Sequence, residues 1–299
     1  MIALAGCSSG GTPVSANQGV TVSGPVGKTP VVHIPARPAS SDLVTKTLAP
    51  GHGAVLASTD SYLANFSIYL WHGSAHRLLY STYTATPQVL PVALGISGVD
   101  RAMAGQRTGG RVLAVVPPKD GYGTAGNPQG GVGPNDTLVW VIDPIQTFAK
   151  TASASGSHVS NGGGRLPTVS AQPGLMPAVT IPKTAPPAGL TVTTLIKGPG
   201  PAVRAGQVVV VKYVGVIWRS KQIFDENWPS SARPHSIPTV FRLGQVIAGW
   251  NTGLVGVPVG SRVMLVIPPA EGYGKKGQPQ AGIQGTDTLV FVVDVLAAD

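Results

Sequence analysis

Residues Phe241 to Gly274 read FRLGQVIAGWNTGLVGVPVGSRVMLVIPPAEGYG, and their punctuation decides the fold. An apolar run from Phe241 to Leu243 stops at Gly244. Helix potential is confined to Ile247–Val255 around Trp250 and is cut by Gly249, Gly253 and Gly256, so the spacing predicts only a short helical turn. Arg262–Ile267 is apolar and rich in β-branched residues, and Pro268-Pro269 halts it before the loop Gly272-Tyr273-Gly274.

Working outward, Val208–Trp218 is a run too apolar for a strand with one face in water, and Thr288–Leu296 (TLVFVVDVL) reads as a closing strand of the same kind. Forty glycines and 28 prolines against 11% charged residues suit short strands joined by many turns, and 299 residues at 42% hydrophobic suffice for two cored domains. The halves repeat one another. Pro30–Pro35 (PVVHIP) returns 147 residues later as Pro177–Pro182 (PAVTIP), and Leu43 and Leu48 return as Leu190 and Leu195. Val115–Gly123 returns as Val266–Gly274 and Asp136–Val141 as Asp287–Val292, now 151 residues apart. So small a drift indicates a duplicated domain with short loop insertions, and the period is far too long for a solenoid.

The composition between these blocks sets the boundaries. Residues 8–29 are Gly-, Ser-, Thr- and Val-rich without periodicity and are expected to be a disordered tether before a first domain at 30–148. Residues 149–186 are read as a flexible linker, centred on 151–165, followed by a Pro-rich extended arm lying on a second domain at 187–299.

Val246-Ile247-x-Gly249-Trp250, Gly253-Leu254-x-Gly256, Ile267-Pro268-Pro269 and Tyr273-Gly274 occur in the order that marks a known family. On these motifs the chain resembles the FKBP-type peptidyl-prolyl cis-trans isomerases. The resemblance implies an α+β architecture of two tandem domains, each a twisted antiparallel sheet wrapped around one short helix. It implies an isomerase acting without a cofactor on Xaa-Pro segments. Trp250 would form the floor of a proline pocket, and Tyr213, Phe224, Phe241, Val246 and Phe291 its walls. The Ile247 amide, the Tyr273 hydroxyl and Asp225 would contact the bound peptide, with Ile283 completing the set. Thr239 stands where the family often has an aromatic residue, which would leave the pocket more open on that side.

The first copy keeps the scaffold motifs and loses the lining. Aligning Trp71 with Trp218 sets Phe66 against Tyr213 and, after two extra residues, Leu79 against Phe224 and Tyr80 against Asp225. Val92 is then set against Phe241, Val99 against Trp250, Val132 against Ile283, Tyr122 against Tyr273 and Trp140 against Phe291. A folded domain with weak or no catalytic activity is expected there.

Other chemistries lack their residues. The histidines at 33, 52, 72, 76, 158 and 235 show no metal-ligand spacing on a helix, and no Gly-x-Ser-x-Gly elbow occurs. Gly27-Lys28-Thr29 resembles the end of a phosphate loop, but Val22 stands where the first glycine belongs. Gly121–Gly126 and Gly272–Gly277 match a dinucleotide fingerprint, yet both run into loops that cannot open a helix. The net charge of +9 is scattered, with no basic stripe or stacking platform for nucleic acid.

Leu4-Ala5-Gly6-Cys7, followed by Ser8-Ser9-Gly10-Gly11, resembles a bacterial lipobox ahead of a flexible tether. Residues 1–7 are thus read as the remnant of a signal, with Cys7 lipidated and the protein held at the outer face of the cytoplasmic membrane, or otherwise secreted. The other reading of Cys7 is an ordinary free thiol. The expected partners are Xaa-Pro segments of exported proteins, macrolide inhibitors, and the membrane through its lipid anchor; no nucleic acid is expected, and the protein is read as a monomer. A non-catalytic chaperone or binding protein of the cell envelope is the alternative function.

Overall fold

Each repeat builds an antiparallel sheet whose middle strands are buried on both faces. The computed structural model describes residues 18–172, 174–229 and 236–299. The first lobe opens with a hairpin of β1 (Thr21–Ser23) and β2 (Val31–His33). It continues through β3 (Val44–Ala49), β4 (Ser61–His72), β5 (Ala75–Ser81), β6 (Gln88–Pro91), α1 (Ser97–Met103), β7 (Arg111–Val116) and β8 (Thr137–Phe148). Its sheet runs β3-β7-β8-β4-β5, with β6 also on β4. The second lobe has β9 (Ser157–His158), a hairpin of β10 (Thr168–Ser170) and β11 (Ala178–Thr180), then β12 (Thr191–Lys197) and β13 (Val208–Ile217). After them come β14 (Ile223–Glu226), β15 (Thr239–Arg242), α2 (Ala248–Gly253), β16 (Arg262–Ile267) and β17 (Leu289–Ala298). That sheet runs β14-β13-β17-β16-β12-β9, with β15 also on β13. Among the described residues, no helix is long and apolar enough to cross a membrane.

Strand periodicity explains why β13 is apolar throughout. Val209, Val211, Tyr213 and Ile217 pack on one side with Trp250 and Leu254, while Val214 and Val216 pack on the other with Val169 of the second hairpin and Ile181 just after it. In β4, Tyr62, Ala64 and Phe66 pack with α1, and Trp71 packs with Val20 and Ile34 on the opposite face. The short helices lie close because glycine faces the sheet. A Cβ at Gly249 would come 2.6 Å from Ile267 Cγ2, and one at Gly98 would come 2.6 Å from Val116 Cγ1.

Two segments differ from expectation. Residues 18–29 are not a disordered tether: Val20 is fully buried and β1 pairs with β2 against the back of the first sheet. Apolar contact with that sheet orders a strand of three residues whose local propensity is too weak to announce it. Residues 151–165 are not free coil either. Their β9 pairs with β12, and the Ala154 amide donates to Asp294 Oδ2 at 2.7 Å. The Pro-rich arm after them is the β10–β11 hairpin, packed on the second sheet as the first hairpin is on the first. Trp71 Nε1 donates to the Arg37 carbonyl at 2.8 Å and Trp218 Nε1 to the Thr184 carbonyl at 3.2 Å, tying down the chain that follows each hairpin. Cys7 and the other residues of the lipobox lie outside the described residues.

A buried ion pair repeats behind each sheet. Arg111 meets Asp143 at 2.7 Å through two nitrogens, and Arg262 meets Asp294 at 2.6 and 2.8 Å. Each carboxylate also takes an amide from the segment that precedes its main sheet, Gly27 in the first lobe and Ala154 in the second. Lys212, 1% exposed, lies with its ammonium 5.0 Å from the centre of the Trp228 ring and donates to the Lys150 carbonyl at 2.9 Å. The lobes meet at β6 and β15, where Leu63, Val89, Val210 and Val240 share one apolar cluster.

Asp294→Ala would leave Arg262 buried without its carboxylate and is expected to cost about 3–5 kcal/mol in urea unfolding. Burial lowers the Lys212 ammonium from 10.5 to about 8, against the opposing pull of Asp294. A folded-state value below the unfolded one is a penalty present below pH 8 and relieved as pH rises toward 10.5. Melting followed across that window should therefore show the parent gaining on Lys212→Met as pH rises.

Candidate functional site

Six elements and loops of the second lobe bring aromatic rings to one cavity. Its volume is about 450 Å³, and Tyr213, Phe224, Asp225, Phe241, Gln245, Val246, Ile247, Trp250, Tyr273 and Phe291 line it. Tyr213 comes from β13, Phe224 and Asp225 from β14, Phe241 from β15, Trp250 from α2 and Phe291 from β17. Trp250 is met edge-on by Tyr213 at 5.4 Å, by Phe241 at 5.2 Å and by Phe291 at 5.2 Å, so the rings form a box instead of a stack. Phe224 stands edge-on to Phe291 at 5.4 Å. Space for this arrangement comes from Gly215, two residues beyond Tyr213 on the same face. A Cβ there would lie 2.7 Å from Phe224 Cζ and 2.9 Å from Phe291 Cε1.

The polar groups are few and fixed. The Tyr213 hydroxyl donates to Asp225 Oδ2 at 2.6 Å, and the Glu226 amide donates to Asp225 Oδ1 at 2.9 Å. Burial first, then the bond to Asp225, push the Tyr213 hydroxyl well above its ordinary range, so it stays a donor. Burial and the charge of Asp225 raise the Tyr273 hydroxyl as well. Ile247 caps the start of α2, and its amide has no protein acceptor among the described residues. Asn251 holds the loop before it, accepting from the Gly244 amide at 2.7 Å and donating to the Val246 carbonyl at 2.9 Å. Trp250 Nε1 is buried and lacks a partner among the described residues, which costs about 1–3 kcal/mol.

Nine of the ten residues expected at the site line this cavity. Ile283 does not: it is 2% exposed in the core beneath, held by the turn in which Gln278 and Ile283 exchange backbone hydrogen bonds. Sequence reasoning missed Gln245, which lines the cavity, and Gly215, whose only signal is a glycine inside an apolar strand. It also missed Asn227, which accepts from the Tyr213 amide at 2.7 Å and donates to Val211 O and Thr239 Oγ1, both at 2.9 Å. Thr239 is thereby held by Asn227 at the edge of the sheet.

The first lobe has a related cavity of about 360 Å³, lined among others by Phe66, Tyr80, Leu90, Ile96, Tyr122 and Trp140. Strand register corrects one alignment. Tyr62 opposes Leu90 as Val209 opposes Phe241, so Leu90, not Val92, is the counterpart of Phe241. Val92 is instead a core residue whose amide donates to the Asp60 carbonyl. Ile68 opposes Tyr80 as Gly215 opposes Asp225, so an isoleucine fills the space that the glycine leaves open.

The profile of the FKBP-type peptidyl-prolyl cis-trans isomerase family matches residues 71–143 and 200–296, one span in each lobe. An FK506-binding protein of Streptomyces anulatus is 40% identical over 123 residues, covering 40% of this chain and 95% of that protein. A probable FK506-binding protein of Corynebacterium glutamicum is 36% identical over 124 residues, 41% of this chain and 98% of that one. The FKBP-type isomerase FkpA of Escherichia coli is 39% identical over 108 residues, 36% of this chain and 37% of its own length. With its motifs and both matched spans in agreement, the chain belongs to the FKBP-type peptidyl-prolyl cis-trans isomerases.

Proposed function

We propose that the ring-lined cavity of the second lobe carries the isomerase activity and that the first lobe is catalytically weak or inactive. The clients on this reading are Xaa-Pro segments of exported proteins. The protein acts as a monomer at the outer face of the cytoplasmic membrane, anchored through Cys7, or is secreted. FK506-like macrolides would compete for the same cavity. The observation that carries the reading is the convergence of Tyr213, Phe224, Phe241, Trp250 and Phe291 on one opening, with Asp225, Tyr273 and the Ile247 amide at its edge.

The chemistry follows from the amide. Resonance holds an Xaa-Pro bond planar behind a barrier of about 18–20 kcal/mol. Twisting the bond removes that resonance and leaves the carbonyl and nitrogen less polar than in either planar form. A dry aromatic box therefore favours the twisted bond relative to water, while a few donors fix the peptide on either side of it. Trp250 and its edge-on partners supply the apolar setting, and the Ile247 amide is free to hold a peptide carbonyl. In the first lobe Val99 replaces the floor, Tyr80 the acid and Phe66 one hydroxyl, while Ile68 narrows the space.

Trp250→Leu in the full chain should lower kcat/KM on a Leu-Pro peptide by about tenfold or more, equivalent to about 1.4 kcal/mol of lost transition-state stabilisation, with the fold retained. A variant that unfolds, or one with unchanged turnover, would remove Trp250 from the site. Gly215→Ile should mimic the first lobe and narrow the cavity between Phe224 and Phe291. Turnover and macrolide binding are then expected to fall together, with overpacking costing about 1–3 kcal/mol in denaturant unfolding.

A further inference from the structure

The cavity of the first lobe is changed, not erased. Phe66 stacks on Trp140, with centroids 5.5 Å apart and planes 29° apart, where the equivalent pair of the second lobe, Tyr213 and Phe291, is 6.3 Å apart and tilted by 51°. The large indole has moved from the helix to the central strand, since Val99 occupies the floor position and Trp140 that of Phe291. Trp140 is 5% exposed and its Nε1 has no partner among the described residues. A second opening of about 270 Å³ shares Ile68, Tyr80, Tyr122 and Trp140 with the first, so the two adjoin at these residues and together make one trough-like face.

Its edge is neutral. Tyr80, 41% exposed, stands where the second lobe has Asp225, and its hydroxyl accepts from Gln88 Nε2 at 2.5 Å, which leaves its own proton free to donate. The Ile96 amide, like that of Ile247, has no protein acceptor among the described residues. Rings, a free amide and a neutral hydroxyl suit an extended apolar peptide, because flat aromatic faces stack on prolyl or aromatic rings while the donors take carbonyls.

The trough also borders the seam between the lobes. Gln88 lines it and lines a groove of about 300 Å³ at the seam, whose far wall is Ile237, Pro238, Thr239 and Val240. This wall runs into β15, which delivers Phe241 to the second cavity.

We propose that the first-lobe trough is a holding site for a second proline-containing, apolar segment of the same client chain, which crosses the β6–β15 seam. This rests on the reading of the second lobe as the site of turnover. The Phe66–Trp140 face grips without twisting, because it lacks the edge-on box. Two weak contacts on one chain raise the effective concentration of the client at the second cavity.

The test measures binding of a labelled Phe-Pro peptide to full-length Trp250→Leu protein by fluorescence anisotropy, alone and with Tyr80→Lys or Trp140→Leu added. Saturable binding in the Trp250→Leu protein that weakens by about tenfold on adding either first-lobe change, with melting temperature kept, supports the site. Tyr80 is at the surface, so Tyr80→Lys tests the trough even where Trp140→Leu perturbs packing. Absence of saturable binding, or binding indifferent to Tyr80→Lys, overturns the proposal. Failure of the second-lobe reading would show separately, as a parent protein that does not turn over the peptide while its first-lobe binding persists.

Discussion

A strand buried on both faces must be covered twice, and that requirement shapes both halves of this chain. In the second lobe, Tyr213 and its neighbours at every other residue face the helix and the cavity, while Val214 and Val216 face the opposite way. Leaving the second face in water would forgo roughly 25 cal/mol for each Å² of apolar surface. A hairpin supplied by the segment before the sheet covers it, as another does in the first lobe. The segments that look like tether and linker are thus part of each fold, fastened by the buried Arg111–Asp143 and Arg262–Asp294 pairs.

Much of the site was legible because a short run of motifs carries it. Val246, Ile247, Trp250 and Tyr273 stand within one continuous stretch, and each lines the cavity. What was not legible depended on tertiary register. No motif between Tyr80 and Val92 fixes which residue matches Phe241, and only hydrogen-bonded pairing identified Leu90. Ile283 had the right chemistry for a wall, yet its turn tucks it into the core. The hairpins were missed because Thr21-Val22-Ser23 and Thr168-Val169-Ser170, identical and 147 residues apart, are too short to signal a strand without the sheet they cover. Nor does a lone arginine signal that it will meet an aspartate 32 residues later.

The two lobes differ most at their cavities and least behind the sheet. Trp71 and Trp218 make the same indole bond to a backbone carbonyl, and the buried ion pairs match in partners and geometry. Toward the cavity, the exchanges Gly215 for Ile68, Trp250 for Val99 and Asp225 for Tyr80 change volume and charge while leaving the strands in place. Losing the back-face contacts would strand a charge or bare a sheet, which folding tolerates poorly. Changing a ring at an open cavity alters what it holds and leaves the strand pairing unaltered.

The position of β17 has a consequence for how the protein is made. This last strand lies between β13 and β16, and it carries Asp294, to which both Arg262 and the amide of Ala154 attach. A growing polypeptide therefore emerges with a gap in the middle of its second sheet until β17 leaves the ribosome. Premature termination there would split the lobe in two, whereas the first lobe, complete once β8 has been synthesised, is already able to close.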